Sequence, residues 1–371
     1  MKKNLIIFGT RPEAIKMAPL VKQFLKDTRF ETKVCVTGQH REMLDQVLSF
    51  FDIKPDYDLS LMKPNQNLYN LTGEVISGLK PILESFKPNF VYVHGDTTTT
   101  MAASIAGFYA GAKVCHVEAG LRTNNLLSPF PEELNRQVAS RVATYHFAPT
   151  IKAKENLLKE NIAKENILVT GNTVIDALLA SSKRVEQLVN EDVVYLTSKI
   201  NVNSRIILVT GHRRENHGQG FINICAALKD IALKNPNLEI VYPVHLNPNV
   251  VKPVNEFLAK IKNIHLVKPL SYPSFVWLMN KAYLIITDSG GVQEEAPSLG
   301  KPVLVMRDTT ERPEAVEAGT VILVGTNTSK IISETQALLD NSDKYKSMSS
   351  LHNPYGDGKA CQRIVEFISR L

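Results

Sequence analysis

The sequence predicts an α/β protein built from two doubly wound, parallel-sheet domains. Short β-branched runs alternate along the chain with segments of about 10–20 residues that have helical spacing, which requires crossover connections and hence parallel strands. Most of the apolar runs are continuous rather than alternating, as expected of strands covered on both faces. The chain has 371 residues, more than one ordinary core accommodates, and the alternation starts afresh about half-way along.

In the first set, strands are expected at 5–8, 33–37, 90–93, 113–117 and 167–169. The second set is expected at 206–210, 239–242, 265–267, 283–287 and 302–305. Helical spacing fills most of the gaps, for instance at 12–25 and 221–233. The first set ends near Gly171-Asn172-Thr173, and one polar, helix-like stretch over 176–199 leads to Arg205-Ile206-Ile207-Leu208-Val209, which opens the second. The domains are therefore placed at 1–172 and 173–356, with the last helix, 357–371, a candidate to cross back onto the first domain. Ligands of such sheets bind beyond the carboxyl ends of the strands, so the informative residues follow each apolar run.

Bulk properties narrow the class. Hydrophobic content of 44% and charged content of 22% are ordinary for a soluble enzyme. The net charge of +6 is mild and no run of five or six Lys/Arg occurs, so nucleic acid is not implied as a partner, whereas a small anion suits the excess. No apolar stretch of about 18 residues exists to span a membrane, and the run after Met1-Lys2-Lys3 is too short for a secretion signal. Cys35, Cys115, Cys225 and Cys361 form no CxxC pair. Cys35 and Cys115 lie in apolar runs and read as reduced core residues of a cytoplasmic protein.

Each turn after a strand has a functional reading and a plain one. Gly9-Thr10-Arg11-Pro12-Glu13-Ala14-Ile15-Lys16 lacks the GxGxxG fingerprint of dinucleotide sites. Pro12 suits a first helical position, so the helix N-terminus with Arg11 and Lys16 is an anion site, or else a strand–helix turn with solvated cations. In His94-Gly95-Asp96-Thr97, Asp96 or a threonine could simply cap the next helix. Glu118, in His116-Val117-Glu118-Ala119-Gly120, is an unusual core residue and a reasonable site residue. His94/Asp96 and His116/Glu118 could sketch a metal site, but no further ligand spacing supports one, so no metal is expected. Glu132 and Glu133 follow Pro131 in a helix's first turn, where the macrodipole alone accounts for acids. Three carboxylates at one sheet edge, Asp96, Glu118 and Glu132, nonetheless invite an acid/base role. In the second half, Thr210-Gly211-His212-Arg213-Arg214 suits a diphosphate or is a solvated basic turn. Asp288-Ser289-Gly290-Gly291 lets backbone amides approach a phosphate, and an acid one turn further on could hold a ribose diol.

Taken in order, these motifs resemble one family. Together with Pro131-Glu132-Glu133, Gly171-Asn172-Thr173, Gln293-Glu294-Glu295, Arg312-Pro313-Glu314 and Asn353-Pro354-Tyr355-Gly356-Asp357-Gly358, they are similar to the non-hydrolysing UDP-N-acetylglucosamine (UDP-GlcNAc) 2-epimerases over almost the whole chain. The resemblance implies a GT-B-like fold, two Rossmann-like domains with a cleft between them, the last helix returning to the first. It implies a homodimer that interconverts UDP-GlcNAc and UDP-ManNAc for surface polysaccharide synthesis without a cofactor. By resemblance, Asp96, Glu118 and Glu132 are the catalytic carboxylates, with Lys16 beside them and His212 also at the reaction centre. Arg11, His212, Arg213, Ser289, Gly290 and Gly291 would hold the diphosphate, Glu295 the ribose, and Phe275, in the turn Tyr272-Pro273-Ser274-Phe275, would flank the uracil. Gln39 and Glu42 resemble part of an allosteric UDP-GlcNAc site, although Glu42 stands where some relatives have Gln and no Arg lies near Asn65-Gln66.

The chemistry accounts for such a residue set. No carbonyl acidifies the hydrogen at C2, so a free carbanion there is too costly. Elimination of UDP from C1 with loss of the C2 proton gives 2-acetamidoglucal; protonation of C2 from the opposite face, with return of UDP to C1, gives the epimer. Cations must stabilise the departing diphosphate, and carboxylates must serve both ring faces. A glycosyltransferase of the same architecture, a hydrolysing epimerase and a non-catalytic UDP-sugar sensor are the rival readings.

Overall fold

A computed structural model describes residues 1–38, 41–61, 66–187 and 189–371, with the backbone alone at 41–42. The chain forms two compact units, Met1–Ala177 with Tyr355–Leu371, and Leu178–Pro354. The first unit is built on β1 (Lys2–Phe8), β2 (Phe30–Val36), β3 (Tyr57–Asp58), β4 (Phe90–His94), β5 (Lys113–Val117), β6 (Tyr145–Ala148) and β7 (Ile167–Val169). They run parallel in the order β3-β2-β1-β4-β5-β6-β7. The second unit holds β8 (Arg205–Thr210), β9 (Leu238–Pro243), β10 (Ile264–Val267), β11 (Ala282–Thr287), β12 (Val303–Val305) and β13 (Val321–Leu323). These are also parallel, in the order β10-β9-β8-β11-β12-β13.

Both sheets are doubly wound, as the sequence predicts. The winding direction reverses between β1 and β4 in one and between β8 and β11 in the other. The loops leaving those strand pairs diverge and open a crevice at each sheet's carboxyl edge. In register, Ile6 of β1 lies opposite Tyr92 of β4, and Thr210 of β8 opposite Thr287 of β11. The turns carrying Arg11 and Asp96, and those carrying His212 and Ser289, therefore leave their sheets side by side.

Packing follows from the apolar runs. Leu5, Ile6, Ile7 and Phe8 are all buried, as are Ile206, Ile207, Leu208 and Val209. The helix Arg11–Leu25 lays Ala14, Met17, Ala18, Val21 and Phe24 on the sheet at three- and four-residue spacing. The final helix, Ala360–Ser369, belongs to the first unit. Lys2 Nζ donates to the carbonyls of Ile368 and Ser369 at 3.1 Å each, and Phe367 meets the rings of Tyr145 and Phe147 edge-on. All four cysteines are free and buried. Among the described residues no helix is long and apolar enough to cross a membrane.

Two local expectations are corrected. β3, β6 and β13 were not anticipated: β3 has two residues, β13 three, and β6 carries His146 within its four. The stretch 176–199 is not one helix but two, Thr173–Val185 and Glu191–Lys199, the second capped by Asn190, whose side chain accepts the Val193 N–H.

Candidate active site

The first unit's site starts from the turn after β1. Gly9 has no room for a side chain: a Cβ there would fall 2.0 Å from Thr37 Oγ1 and 2.7 Å from Thr99 Oγ1. Thr10 caps the helix Arg11–Leu25 and Glu13 completes a capping box, its Oε2 accepting from the N–H groups of Gly9 and Thr10 at 3.0 and 2.8 Å. The other Glu13 oxygen accepts from the Thr97 hydroxyl at 2.7 Å, so this buried carboxylate fastens the β1 turn to the β4 turn. Burial raises its pKa, and the bonds from Thr97, Gly9 and Thr10 oppose the rise.

Between these turns lies a cavity of about 460 Å³ lined by Arg11, Glu13, Lys16, His94, Asp96 and Glu118, among others. Lys16 Nζ donates to Glu118 Oε2 at 2.5 Å, and Asn172 Nδ2 donates to the same oxygen at 2.8 Å. His94 Nε2 stands 3.8 Å from it. Burial works to raise the Glu118 pKa, but the Lys16 ammonium, His94 and the two hydrogen bonds prevail and bring it down to about 2. Burial pushes His94 down to about 4, against the pull of Glu118. At neutral pH the cavity thus holds an ionised carboxylate against an ammonium, with a neutral imidazole beside them. Glu118 sits at φ +62°, a left-handed backbone that non-glycine residues seldom adopt and that surroundings must enforce.

Asp96 is held from a separate element. Arg136, on the helix Glu132–Val142, bonds its Oδ2 at 2.5 Å, and Asn135 donates to its carbonyl at 2.9 Å. The neighbouring acids divide their labour. Glu133 is buried and accepts the backbone N–H groups of Thr123 and Asn124, which ties the loop ahead of the helix to its first turn. Glu132 stands outside the lining of the cavity, and its Oε2 is buried with no hydrogen-bond partner among the described residues. Among the described residues no three His, Cys, Asp or Glu side chains gather as metal ligands.

In the second unit Asp288, fully buried after β11, organises the turn after β8. Its Oδ2 accepts the N–H groups of His212 and Arg213 at 2.8 Å each. Its Oδ1 lies 3.4 Å from His212 Nδ1. Burial lowers the His212 pKa, while Asp288 opposes the shift. Arg213 reaches Glu311 at 3.4 Å, and Arg312 pairs with Glu294 at 2.7 Å. Ser289 precedes the short helix Gly290–Glu295. A Cβ on Gly290 would lie 3.3 Å from the Arg312 guanidinium carbon, and one on Gly291 would lie 3.4 Å from Glu295 Oε1. Phe275 is half-buried in the first turn of the helix Tyr272–Lys281 rather than in a free turn. Gln39 lies outside the described residues, as does the side chain of Glu42.

The sequence matches the family described as UDP-N-acetylglucosamine 2-epimerase over residues 22–369. The chain belongs to that family. The UDP-N-acetylglucosamine 2-epimerase of Campylobacter jejuni is 58% identical over 99% of this chain and 97% of its own. That of Escherichia coli K12 is 59% identical over 98% and 97%. The crystal structure of the Neisseria meningitidis UDP-GlcNAc 2-epimerase bound to UDP-GlcNAc is 53% identical, covers both chains fully and superposes with a TM-score of 0.88. Within this family framework the structure brings Arg11, Lys16, Asp96 and Glu118 to one cavity, and His212 and Arg213 to one aspartate. Sequence reasoning assigned no role to Glu13, Asn172 or Asp288. The Thr10-x-x-Glu13 spacing carried the capping signal, whereas nothing local marks Asn172 or Asp288, whose partners are distant in sequence.

Proposed function

We propose that the chain interconverts UDP-GlcNAc and UDP-ManNAc by anti elimination and re-addition of UDP. Support comes above all from Glu118, a carboxylate kept ionised against Lys16 in a cavity that also holds Asp96. One carboxylate takes the C2 proton as the C1–O bond breaks, the electron pair of that bond leaving with the diphosphate oxygen. The product is 2-acetamidoglucal and UDP. Protonation of C2 from the other ring face, with return of the diphosphate oxygen to C1, gives the epimer, and nothing is oxidised or reduced. Asp96 and Glu118 serve the two faces and Glu132 supports them. Arg11, Arg213, Ser289, Gly290 and Gly291 take the diphosphate and His212 stands at the leaving group. Glu295 takes the ribose and Phe275 the uracil.

In this reading the protein is a cytoplasmic homodimer supplying ManNAc units for surface polysaccharide, and a second UDP-GlcNAc site that includes Gln39 and Glu42 activates it. The decisive experiment is NMR of UDP-GlcNAc incubated with the protein in D₂O. Deuterium enters C2 and UDP-ManNAc accumulates with no acceptor present. Free ManNAc with UDP identifies a hydrolase, unchanged substrate until an acceptor is added identifies a transferase, and a fully protiated C2 excludes the proton step. Asp96→Asn, Glu118→Gln and Glu132→Gln each lower turnover, by about 10²–10⁴-fold for a well-placed acid/base group; normal rates in all three refute the site.

A further inference from the structure

The segment 170–173, shortly before the chain leaves the first unit, and the segment 355–357, where it re-enters, meet beside Glu118. Asn172, 3% exposed, bonds to Glu118, Val174 and Tyr355 among the described residues. Its Nδ2 donates to Glu118 Oε2 at 2.8 Å, its Oδ1 accepts the Val174 N–H at 3.1 Å, and its own N–H donates to the Tyr355 carbonyl at 2.7 Å. The returning segment is packed too closely against it for substitution. A Cβ on Gly171, at φ +86°, would lie 3.2 Å from Gly356 Cα and 3.3 Å from the Tyr355 carbonyl oxygen. Further along both stretches, Asp176 accepts the N–H groups of Ala360 and Cys361 at 3.1 and 2.9 Å, which locks them together.

We propose that Asn172 is a positioning residue for the reaction: it fixes the Glu118 carboxylate to the junction of the two crossing segments and keeps that carboxylate aimed and ionised for proton transfer. This rests on the reading of the cavity as the epimerase centre. Glu118 needs such a restraint because its backbone is left-handed. The other groups facing its carboxylate are Lys16 from the helix Arg11–Leu25 and His94 from β4, and Asp96 lines the same cavity. Among the described residues Lys16 and Asn172 donate to Oε2, and Asn172 is also anchored by its own backbone to the returning segment.

The test uses the full-length protein and UDP-GlcNAc, with C2 deuterium exchange as the readout. Asn172→Ser keeps an oxygen able to cap the Val174 N–H but loses the reach to Glu118. It should lower kcat about 10-fold or more with little change in KM, the loss expected for a hydrogen bond to a charged group. Asn172→Asp places a second carboxylate on Glu118 Oε2. Two acids at that distance cannot both stay ionised, so kcat should gain an acid limb above about pH 5 that the parent protein lacks. In a Glu118→Gln background, Asn172→Ser should cost nearly nothing further, because it acts through the missing carboxylate. Equal losses in both backgrounds, or a lowered Tm with unchanged kcat and pH profile, overturn the positioning role. If Asn172→Asp does not fold, the kcat effect and the double-mutant comparison of Asn172→Ser decide alone. Near-normal turnover of Glu118→Gln instead refutes the catalytic role of that carboxylate, on which the proposal rests, so the two failures are separable.

Discussion

At the scale of single residues, the Lys16 ammonium is the largest of the influences that lower the Glu118 pKa and keep it charged. The pair is largely shielded from water, so the ammonium and carboxylate attract strongly, and removing the ammonium takes away the carboxylate's charge partner. Lys16→Met removes the largest of the effects that hold Glu118 near 2 and leaves burial to raise it. The expected outcome is a loss of about 3 kcal/mol in stability at neutral pH, largely regained in Lys16→Met/Glu118→Gln, measured by urea denaturation. Turnover of Lys16→Met should also gain an acid limb, because a carboxyl whose pKa rises is protonated, and lost as a base, at a higher pH. Asp96 and Glu118 were legible as candidates because each follows a strand of a doubly wound sheet. The ionised state of Glu118 was not, since it depends on Lys16 and Asn172, both remote from it in sequence.

Secondary elements were readable to the extent that each carried its own signal. β1, β5, β8 and β11 announce themselves as apolar β-branched runs, and Thr10 with Glu13 marks a helix start. β3 and β13 have too few residues to show a period, and exist because a neighbouring strand offers unpaired backbone groups. Glycines make the same contrast testable. Gly120 has φ +92°, and a Cβ there would lie 2.2 Å from the Ala153 carbonyl oxygen. Gly73 lies within the helix Leu68–Phe86 with nothing within 4 Å of a Cβ. Gly120→Ala should destabilise by about 2–4 kcal/mol through backbone strain and overlap. Gly73→Ala should stabilise by about 0.5–1 kcal/mol through helix propensity. Thermal melts of the two variants check both signs.

For the molecule as a whole, three buried histidines of the first unit set its tolerance of acid. Burial holds His94 and His146 down to about 4 and His116 to about 3, so all three are neutral when folded at pH 5. The unfolded chain takes up protons at these sites near pH 6.5, and stability therefore falls as pH drops from about 6.5 toward 4. Each neutral histidine removes about 1.4 kcal/mol per pH unit well below 6.5. Tm should decline steadily between pH 6.5 and 5, and His116→Asn should flatten that slope even while lowering Tm at pH 7. A Tm independent of pH over this interval would contradict the burial of these rings. The two-sheet architecture was visible from strand–helix alternation alone, because parallel strands must be joined by crossovers. Which helix completes which sheet was only suggested, since Phe367 finds Tyr145 and Phe147 across more than two hundred residues of intervening chain.

That long-range closure bears on synthesis. The second unit is continuous in sequence, whereas the first lacks its last helix until the ribosome has made residues 355–371. Lys2, Tyr145, Phe147 and Asp176 must therefore wait, without their partners, through translation of the whole second unit. The first unit is begun before the second and completed after it, and a nascent chain halted before Ala360 leaves Tyr145 and Phe147 without the ring of Phe367.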